Sequence, residues 1–399
     1  MPTSTDIPTE RSVTTCLGQT RNGARCRRRA LEGSKFCALH ADQAPPDLPR
    51  DIDRDELDDA IAGFGHEGAG GDARDDGSAN NGPLDELMEF ADYVGDNVSK
   101  LTDAVANSGL VDKSLVERFS HDFILALTSL VAAFTERASG DYEEDEFGFD
   151  QSFTEKLMPM ANLLYKYYWR VDVDGIENVP ATGGGILVSN HAGAGMPFDG
   201  VMIKTAILNL HSNPRHVRLL VLDWLMGLPW LADLMKQTGQ VLACSPNAYE
   251  LLKREQLIAV FPEGVRGMAK PFSQRYQLQR FGRGGFVRIA LRTQAPIVPV
   301  AVVGSEEIYP KLGNIPVINK LIGAPFVPMT PLFPWLGLAG AIPLPSKWHI
   351  EFCDPIDVSQ YPPEAADDRA LVLELSEQVR STIQERLKEN LLKRKTPFW

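Results

Sequence analysis

The sequence predicts an α/β fold with a mostly parallel central sheet flanked by helices, preceded by a helical hairpin and a small cysteine-containing module. From about residue 152, short and continuously apolar segments alternate with helical patterns, as expected of a parallel sheet covered on both faces. Between residues 83 and 138, apolar side chains recur at helical spacing in two runs. Between residues 42 and 82, Asp, Gly, Ala and Pro dominate, which is typical of a disordered linker.

These patterns divide the 399-residue chain into consecutive parts. They are a disordered start (1–10), a cysteine-containing module (11–41), a disordered acidic linker (42–82), a helical hairpin (83–140), a second acidic linker (141–151) and the α/β domain (152–395). A dimerisation face is the alternative interpretation of the hairpin. Because 44% of the residues are apolar, the α/β domain can fill a sizeable core.

Within the α/β domain, the apolar segments predict the order of the elements. Strands are predicted at 185–190, 217–223, 257–261, 297–303 and 348–353. Helices are predicted over 153–169 and near 198–209, 227–237, 246–255, 280–293 and 367–394. In sheets of this kind, ligands gather beyond the carboxyl ends of the strands, where loops meet helix N-termini.

Two polar clusters follow predicted strands. Asn190 and His191 follow GILVS, and Glu263 and Arg266 lie in PEGVRG directly after LIAVF. A neutral histidine can take a proton from an alcohol that attacks a carbonyl, provided that an acceptor holds its other ring nitrogen. Asp199 is the candidate acceptor, because glycines between the two positions allow the loop to turn back. In the alternative interpretation, Asp199 only caps a helix, and Glu263 and Arg266 only form an ion pair with each other.

These motifs, in this order, resemble the glycerolipid (lysophospholipid) acyltransferase family. The matching segments are NHAGAGMPFDG, FPEGVRG, APIVPVAVVG and PLPSKWHIEFCDPIDV, and the resemblance covers roughly residues 160–390. It implies transfer of a fatty acyl group from a thioester, as acyl-CoA or on acyl carrier protein, to a hydroxyl of a lipid acceptor. It also implies no covalent enzyme intermediate, so Cys244 is not assigned as a nucleophile.

The resemblance also implies roles for individual residues. His191 would be the general base, and Asp199 would orient its ring and stabilise the imidazolium. Substrate binding would involve Asn190, Glu263, Gly264, Arg266 and Pro299. Of these, the Glu and Arg would fix the acceptor, the Gly would allow close backbone approach, and the Pro would shape the floor near the acyl chain.

Two departures from the family pattern affect these expectations. The family usually has four residues between His and Asp, whereas seven separate His191 from Asp199, with Met196 at the four-residue position. The family often has an arginine that helps to bind an acceptor phosphate, whereas the corresponding segment 238–249 contains none. A neutral alcohol, of the diacylglycerol or wax-ester type, is therefore an alternative acceptor. Other arginines could supply the charge instead: Arg275, Arg280, Arg283 and Arg288.

Lipid substrates require contact with a membrane surface. The uncharged run 321–345 is long enough to span a bilayer, but its six prolines break helical hydrogen bonding. We therefore expect no transmembrane helix. Its large apolar side chains could instead enter the interfacial layer, or the loop could fold onto the core; they are Phe326, Phe333, Trp335 and Leu336. Because the chain starts without a signal-peptide pattern, we expect a cytoplasmic, peripherally membrane-associated protein.

The formal net charge of −13 conceals two basic segments. Residues 11–40 carry seven Arg or Lys against one Glu, and residues 252–292 carry nine against two Glu, whereas 41–82 are strongly acidic. The basic segment 252–292 could meet anionic headgroups or the phosphates of coenzyme A. An ordinary solvated helix face is the alternative interpretation.

The N-terminal module contains a candidate metal site. Cys16, Cys26, Cys37 and His40 form a donor set suited to tetrahedral zinc, and the spacing is similar to that of the plant WRC motif. About thirty residues cannot bury enough apolar surface alone, so the metal would stabilise the module. Its arginines favour nucleic acid, anionic lipid or an acidic protein as partner. Unrelated free thiols, and a non-catalytic lipid-binding or scaffold protein built around the module, remain alternatives.

Overall fold

The computed structural model describes residues 112–398, except 141, 193–196, 228 and 316–325, together with Asn97 and Lys100. The chain divides into two units, Met1–Asn80 and Asn81–Trp399, and every described residue lies in the second. The predicted cysteine module, the first acidic linker and most of the first hairpin helix lie outside the described residues.

Seven strands form the central sheet. They are β1 (Asp172–Asp174), β2 (Gly185–Ser189), β3 (Val217–Val221), β4 (Val241–Leu242), β5 (Leu257–Val260), β6 (Ile297–Val303) and β9 (His349–Phe352). The spatial order is β1-β9-β6-β2-β5-β3-β4. The five strands from β6 to β4 are parallel, whereas β9 runs antiparallel to β6 and pairs in parallel with β1. The predicted mostly parallel sheet is confirmed.

Besides the central sheet, the structure describes a two-stranded hairpin and nine α-helices. The hairpin pairs β7 (Gly313–Asn314) with β8 (Pro328–Met329). The helices are α1 (Lys113–Ser139), α2 (Gln151–Leu163), α3 (Phe198–Leu210), α4 (Asp223–Met226), α5 (Pro229–Gln237), α6 (Ser245–Lys253), α7 (Val265–Met268), α8 (Gly285–Thr293) and α9 (Arg369–Lys393). A π-helical turn, Leu164–Tyr168, continues α2. Short 3₁₀ turns occupy Ile176–Asn178, Phe272–Gln274, Ser305–Glu307, Gly337–Ala341 and Pro363–Asp367.

The helix expected over 280–293 begins only at Gly285. Gly282 and Gly284 both have positive φ, 31° and 71°, and a right-handed helix cannot pass through that conformation. These glycines therefore form a loop instead of a first helical turn, and the loop reaches the edge of the sheet where the polar clusters lie.

The hydrophobic core has one layer on each face of the sheet. Ile186 and Val188 of β2 pack on one face with α6, α8 and α9, whereas Leu187 packs on the other face with α3. Successive strand residues point to opposite faces, so a strand covered on both sides reads as continuously apolar. Burying each of these side chains contributes about 1.5 to 3 kcal/mol.

The described part of the predicted second acidic linker is 142–151; its last residue begins α2, and the residues before it contact the α/β body. Arg218 of β3 is 1% exposed and donates to the Asp145 carboxylate, and its guanidinium lies 4.8 Å from the centre of the Phe149 ring. Arg254 donates to Glu146 at 2.5 Å. The buried arginine is thus paired by a carboxylate, as a buried charge requires.

Candidate active site

The two polar clusters emerge side by side at one edge of the sheet. Strands β2 and β5 are parallel neighbours, and Val188 lies opposite Val260 in their register. The residues that follow these strands therefore leave the sheet at the same edge. His191 comes from the end of β2, and the segment 261–264 comes from the end of β5.

The structure brings His191 and Asp199 together. The ring atom Nδ1 lies 2.7 Å from Asp199 Oδ2, although seven residues separate the two in the sequence. The same oxygen accepts the N–H of Ala192 at 3.0 Å, and Oδ1 accepts the N–H of Gly200 at 2.8 Å. Asp199 lies in the first turn of α3 and is 1% exposed. Its negative charge is stabilised there by backbone N–H groups and by the positive end of the helix dipole.

The histidine ring is held on a second side by an aromatic face. The ring of Phe261 stacks on that of His191, with centroids 4.5 Å apart and planes 28° apart. The ring atom Nε2 makes no hydrogen bond with the described residues. One nitrogen is therefore oriented by a carboxylate, and the other is left available to a ligand.

Glu263 lies behind His191. Its Oε1 accepts the backbone N–H of His191 at 3.0 Å, and its Oε2 accepts the backbone N–H of Gln279 at 2.6 Å. Lys270 Nζ lies 3.3 Å from Oε2, and the Glu263 side chain is completely buried. Because the carboxylate is completely buried and both its oxygens are occupied by backbone N–H groups, this geometry favours a positioning role over direct contact with an acceptor.

Asn190 and Pro299 occupy the interior of the sheet. Asn190 Nδ2 donates to the carbonyl of Val302 at 3.0 Å, and its Oδ1 accepts the N–H of the same residue at 2.8 Å. Asn190 therefore extends the pairing of β2 with β6 by one residue. Pro299 lies opposite Val188 in that pairing and is not among the described residues that line the cavity next to His191.

A cavity of about 320 Å³ opens beside His191. The described lining residues include the ends of β3 and β5, the segment after β4 with Cys244 and Ser245, and the glycine loop with the start of α8. Its walls are mostly apolar, with Leu219, Leu225, Met268, Phe281, Phe286 and Ile289 among them. Arg283 is the one permanently charged side chain among the described lining residues.

The motif PEGVRG contributes to this cavity unevenly. Gly264 lines it, with φ 56° and ψ −144°, and a Cβ there would meet no protein atom within 4 Å. Arg266 is exposed on α7 and makes no hydrogen bond or ion pair with the described residues. Glycine is needed at 264 because other residues rarely adopt this backbone conformation.

Of the four other arginines considered for an acceptor charge, one lines the cavity. Arg283 is exposed at the cavity wall. Arg288 donates to the Ala366 carbonyl at 3.2 Å, and Arg275 lies over the Phe272 ring at 4.5 Å. Arg280 is exposed and is not one of the described lining residues.

Three residues of this site are not among the candidates that the motifs predict. Phe261 is predicted only as the end of a strand, although its place between strand and motif puts its ring next to the strand-end histidine. Gly267 has no predicted role, yet a Cβ there would lie 2.7 Å from Glu263 Cβ and 3.1 Å from the His191 carbonyl oxygen. Lys270 had no signal in the sequence, because an isolated lysine nine residues after a strand is ordinarily solvated.

The uncharged segment near residue 330 is only partly exposed. Trp335 and Leu336 are 72% and 57% exposed, as expected for residues that meet a lipid surface. Phe326 is buried instead, with the Lys311 ammonium 4.9 Å from its ring centroid. Within the described ranges, no helix has both the length and the apolar composition needed to cross a membrane.

The described residues do not include the predicted zinc ligands, Cys16, Cys26, Cys37 and His40. Elsewhere in the chain, within the part that the structure describes, no three His, Cys, Asp or Glu side chains are grouped as a metal site. The described cysteines, Cys244 and Cys353, form no disulfide. Burial raises the pKa of the Cys353 thiol to about 12, which keeps it protonated.

The part of the chain that carries the two polar clusters is similar to known proteins. The family model described as Acyltransferase matches residues 170–303. The chain is 48% identical over 271 residues to an uncharacterized protein of Mycobacterium leprae, which covers 67% of this chain and 74% of that protein. It is 30% identical over 158 residues to the 1-acyl-sn-glycerol-3-phosphate acyltransferase alpha of Ovis aries, covering 38% of this chain and 51% of the relative.

One solved structure was also compared. The acyltransferase PlsC of Thermotoga maritima, described as a 1-acyl-sn-glycerophosphate acyltransferase, superimposes with a TM-score of 0.44 at 17% sequence identity. The match covers 69% of this chain and 94% of that one.

Proposed function

Because the chain belongs to the acyltransferase family and is an O-acyltransferase, we propose that it moves a fatty acyl group from acyl-CoA or acyl carrier protein to a hydroxyl of a glycerolipid or lysophospholipid. The observation that carries this proposal is the 2.7 Å contact between His191 and Asp199 at the wall of an apolar cavity. The name of the Ovis aries relative, a 1-acyl-sn-glycerol-3-phosphate acyltransferase, supports the acceptor class.

His191 is the proposed general base. Nδ1 carries the ring proton and donates a hydrogen bond to Asp199, so the lone pair of Nε2 is free to take the proton of the acceptor hydroxyl. The oxygen then attacks the thioester carbonyl, and the tetrahedral intermediate collapses as the thiolate leaves. The imidazolium returns the proton to the leaving sulfur, and the Asp199 carboxylate stabilises the charged ring in the meantime. This route needs no covalent enzyme intermediate.

The cavity suggests how the substrates divide the space. Leucine, methionine and phenylalanine side chains suit an alkyl chain, because burial of that chain is driven by the hydrophobic effect. Arg283 suits a phosphate, which guanidinium groups bind with two parallel hydrogen bonds. We therefore favour a phosphate-bearing acceptor over a neutral alcohol.

Thioester release by the purified full-length chain tests this function. The donor would be palmitoyl-CoA, and the acceptors would be lysophosphatidic acid, lysophosphatidylcholine, diacylglycerol and a long-chain alcohol. We expect transfer that His191→Ala and Asp199→Asn each reduce by about 10²- to 10⁴-fold, and Arg283→Gln should raise KM chiefly for lysophosphatidic acid. Transfer that survives His191→Ala would refute the assigned base, and a preference for diacylglycerol that is insensitive to Arg283 would favour the neutral alcohol.

We also propose that the exposed apolar residues after β8 enter a lipid surface, because both substrates carry alkyl chains. Trp335, Leu336 and Ile342 expose 72%, 57% and 59% of their surfaces. Replacing Trp335 and Leu336 with Gln should weaken binding to phosphatidylglycerol vesicles at least about tenfold, because each buried side chain contributes roughly 1.5 to 3 kcal/mol. Leu392→Gln is the matched control, since Leu392 is 87% exposed on α9. Equal losses in both variants would argue against a specific contact.

For the N-terminal module, the proposal of structural zinc on Cys16, Cys26, Cys37 and His40 rests on the residue spacing. Elemental analysis of the purified full-length chain should find about one zinc ion per chain, and Cys26→Ser with Cys37→Ser should remove it. A wild-type chain purified without chelators that contains no zinc would refute the proposal. In a separate experiment, pull-down with nucleic acid, anionic vesicles or acidic peptides would identify the partner class of the N-terminal module.

A further inference from the structure

A buried cluster of charges lies behind the proposed base. The Lys270 ammonium is 3.3 Å from Glu263 Oε2 and 3.1 Å from Glu306 Oε1. The exposed fractions of the three side chains are 3%, 0% and 7%. The ammonium also donates to the carbonyl of Gln277 at 3.3 Å. One cation thus separates two carboxylates in a site that water barely reaches.

The cluster connects to the base through backbone hydrogen bonds. Glu263 accepts the N–H of His191 with one oxygen and the N–H of Gln279 with the other. It therefore ties the chain after β2 to the segment that precedes the glycine loop. A carboxylate that moved or became protonated would lose part of its hold on both backbone groups, since an ionised acceptor makes the stronger hydrogen bonds.

Lys270 is what allows both carboxylates to stay buried. Without it, Glu263 and Glu306 would face each other in a low-dielectric interior, and one of them would have to be protonated. Burial already raises the pKa of Glu306 to about 7, although Lys270 and the Tyr276 backbone N–H act in the opposite direction.

Other charged groups border the cluster. Arg380 of α9 is within electrostatic reach of Glu263. The Tyr276 hydroxyl donates to Glu307 at 2.5 Å, and Arg394 pairs with that same carboxylate at 3.0 Å. Lys270 is the cation in direct contact with both Glu263 and Glu306 among the described residues.

We propose that Lys270 is a positioning residue of the acyltransferase site: its buried ammonium holds the Glu263 carboxylate in place, and Glu263 in turn fixes the backbone of His191 beside the cavity. This inference rests on the proposed function for its kinetic consequence, but the contacts themselves do not. Lys270 touches no substrate in this scheme and acts only through Glu263.

The consequence for Lys270→Met is a less firmly held base. The Glu263 carboxylate then loses the ammonium that anchors its Oε2, so its hold on the His191 N–H weakens. Misplacement of a base by about an ångström can cost on the order of 100-fold in rate, so the loss should fall on kcat rather than on KM.

The kinetic test uses the full-length chain, palmitoyl-CoA and lysophosphatidic acid. Lys270→Met should lower kcat by about 10- to 100-fold, with KM changed less than about threefold. Lys270→Arg should restore most of the rate.

The matched control is Lys204→Met, which removes another buried lysine. Lys204 is 6% exposed, and its ammonium donates to the Thr238 carbonyl rather than to Glu263. This variant should leave kcat close to the wild-type value. If Lys270→Met and Lys204→Met lower kcat equally, Lys270 contributes only to stability and the proposal is overturned.

Hydrogen exchange separates this proposal from the proposed function. The backbone amide of His191 should exchange faster in Lys270→Met than in Lys204→Met at matched distance from Tm, whether or not transfer is measurable. If the wild-type chain has no transferase activity but the two variants differ in exchange at His191 in this way, the proposed function is contradicted and the positioning role is supported. Unchanged exchange at His191 would overturn the positioning role whatever the activity.

Discussion

Both the side chain and the backbone of His191 are held by neighbouring residues. Its ring is aligned by Asp199 at 2.7 Å and by the stacked Phe261, whereas its backbone N–H is held by Glu263 at 3.0 Å. The ring contacts determine which nitrogen faces the cavity, and the backbone contact fixes the position of the main chain that carries the ring. Both are needed because orientation and position limit proton transfer independently.

Gly267 should be intolerant of a methyl group. Alanine there would place a Cβ 2.7 Å from Glu263 Cβ and 3.1 Å from the His191 carbonyl oxygen, and these backbone-linked atoms cannot swing away. Gly267→Ala is expected to reduce kcat about 10- to 100-fold in the thioester-release assay. Gly313→Ala is the control, because the Cβ there would meet only the mobile end of Met329 at 3.0 Å. Equal activities in the two variants would contradict this expectation.

At the scale of elements, the end of β2 combines two tasks within two residues. Asn190 continues the sheet through two hydrogen bonds to Val302, and His191 then leaves the sheet toward the cavity. The resemblance implied substrate binding by Asn190, whereas its completely buried amide is occupied by the strand next to it. The histidine is therefore anchored one residue from its exit point.

Asn190→Ala should act mainly on stability. It would leave the buried N–H and C=O of Val302 without partners, at a cost of roughly 2 to 5 kcal/mol in the free energy of unfolding. Urea unfolding measures this loss. Asn209→Ala, at an exposed amide paired with Asn162, should cost less than about 0.5 kcal/mol. A stable Asn190→Ala variant with a raised KM for the acceptor would restore the substrate-binding interpretation.

At the scale of the whole molecule, two buried groups oppose each other in the dependence of stability on pH. Burial raises the pKa of Glu306 from 4.5 to about 7 and lowers the pKa of Lys204 from 10.5 to about 7. Between pH 4.5 and 7, the folded chain retains a proton on Glu306 that the unfolded chain has lost. Between pH 7 and 10.5, the unfolded chain retains a proton on Lys204 that the folded chain has lost.

These two groups should therefore produce opposite slopes. Stability from Glu306 declines as the pH rises toward 7, and stability from Lys204 increases as the pH rises above 7, each by at most about 1.4 kcal/mol per pH unit. Urea unfolding from pH 5 to 10 should show that Glu306→Gln flattens the acid side and Lys204→Met flattens the alkaline side. Unaltered slopes in both variants would show that other groups control the dependence.

Much of the fold could be predicted because local patterns of apolar residues identify its strands and helices. The predicted strands at 185–190, 257–261 and 297–303 match β2, β5 and β6 to within two residues at either end. The start of α8 could not be placed, because the glycines before it adopt positive φ only in the folded loop. The edge pairing of β1 with β9 also has no local signal, since it joins segments far apart in the chain.

By itself, the sequence determined the α/β class, the edge of the sheet that carries the polar motifs, and the candidate pair His191 and Asp199, because periodicity and strand ends are local properties. The tertiary structure alone decided that this pair lies 2.7 Å apart. It also decided that Glu263 faces the protein and that Lys270 lies between two carboxylates. Such contacts join residues from separate strands and loops, and their distances exist only once the sheet has set the registers of its strands.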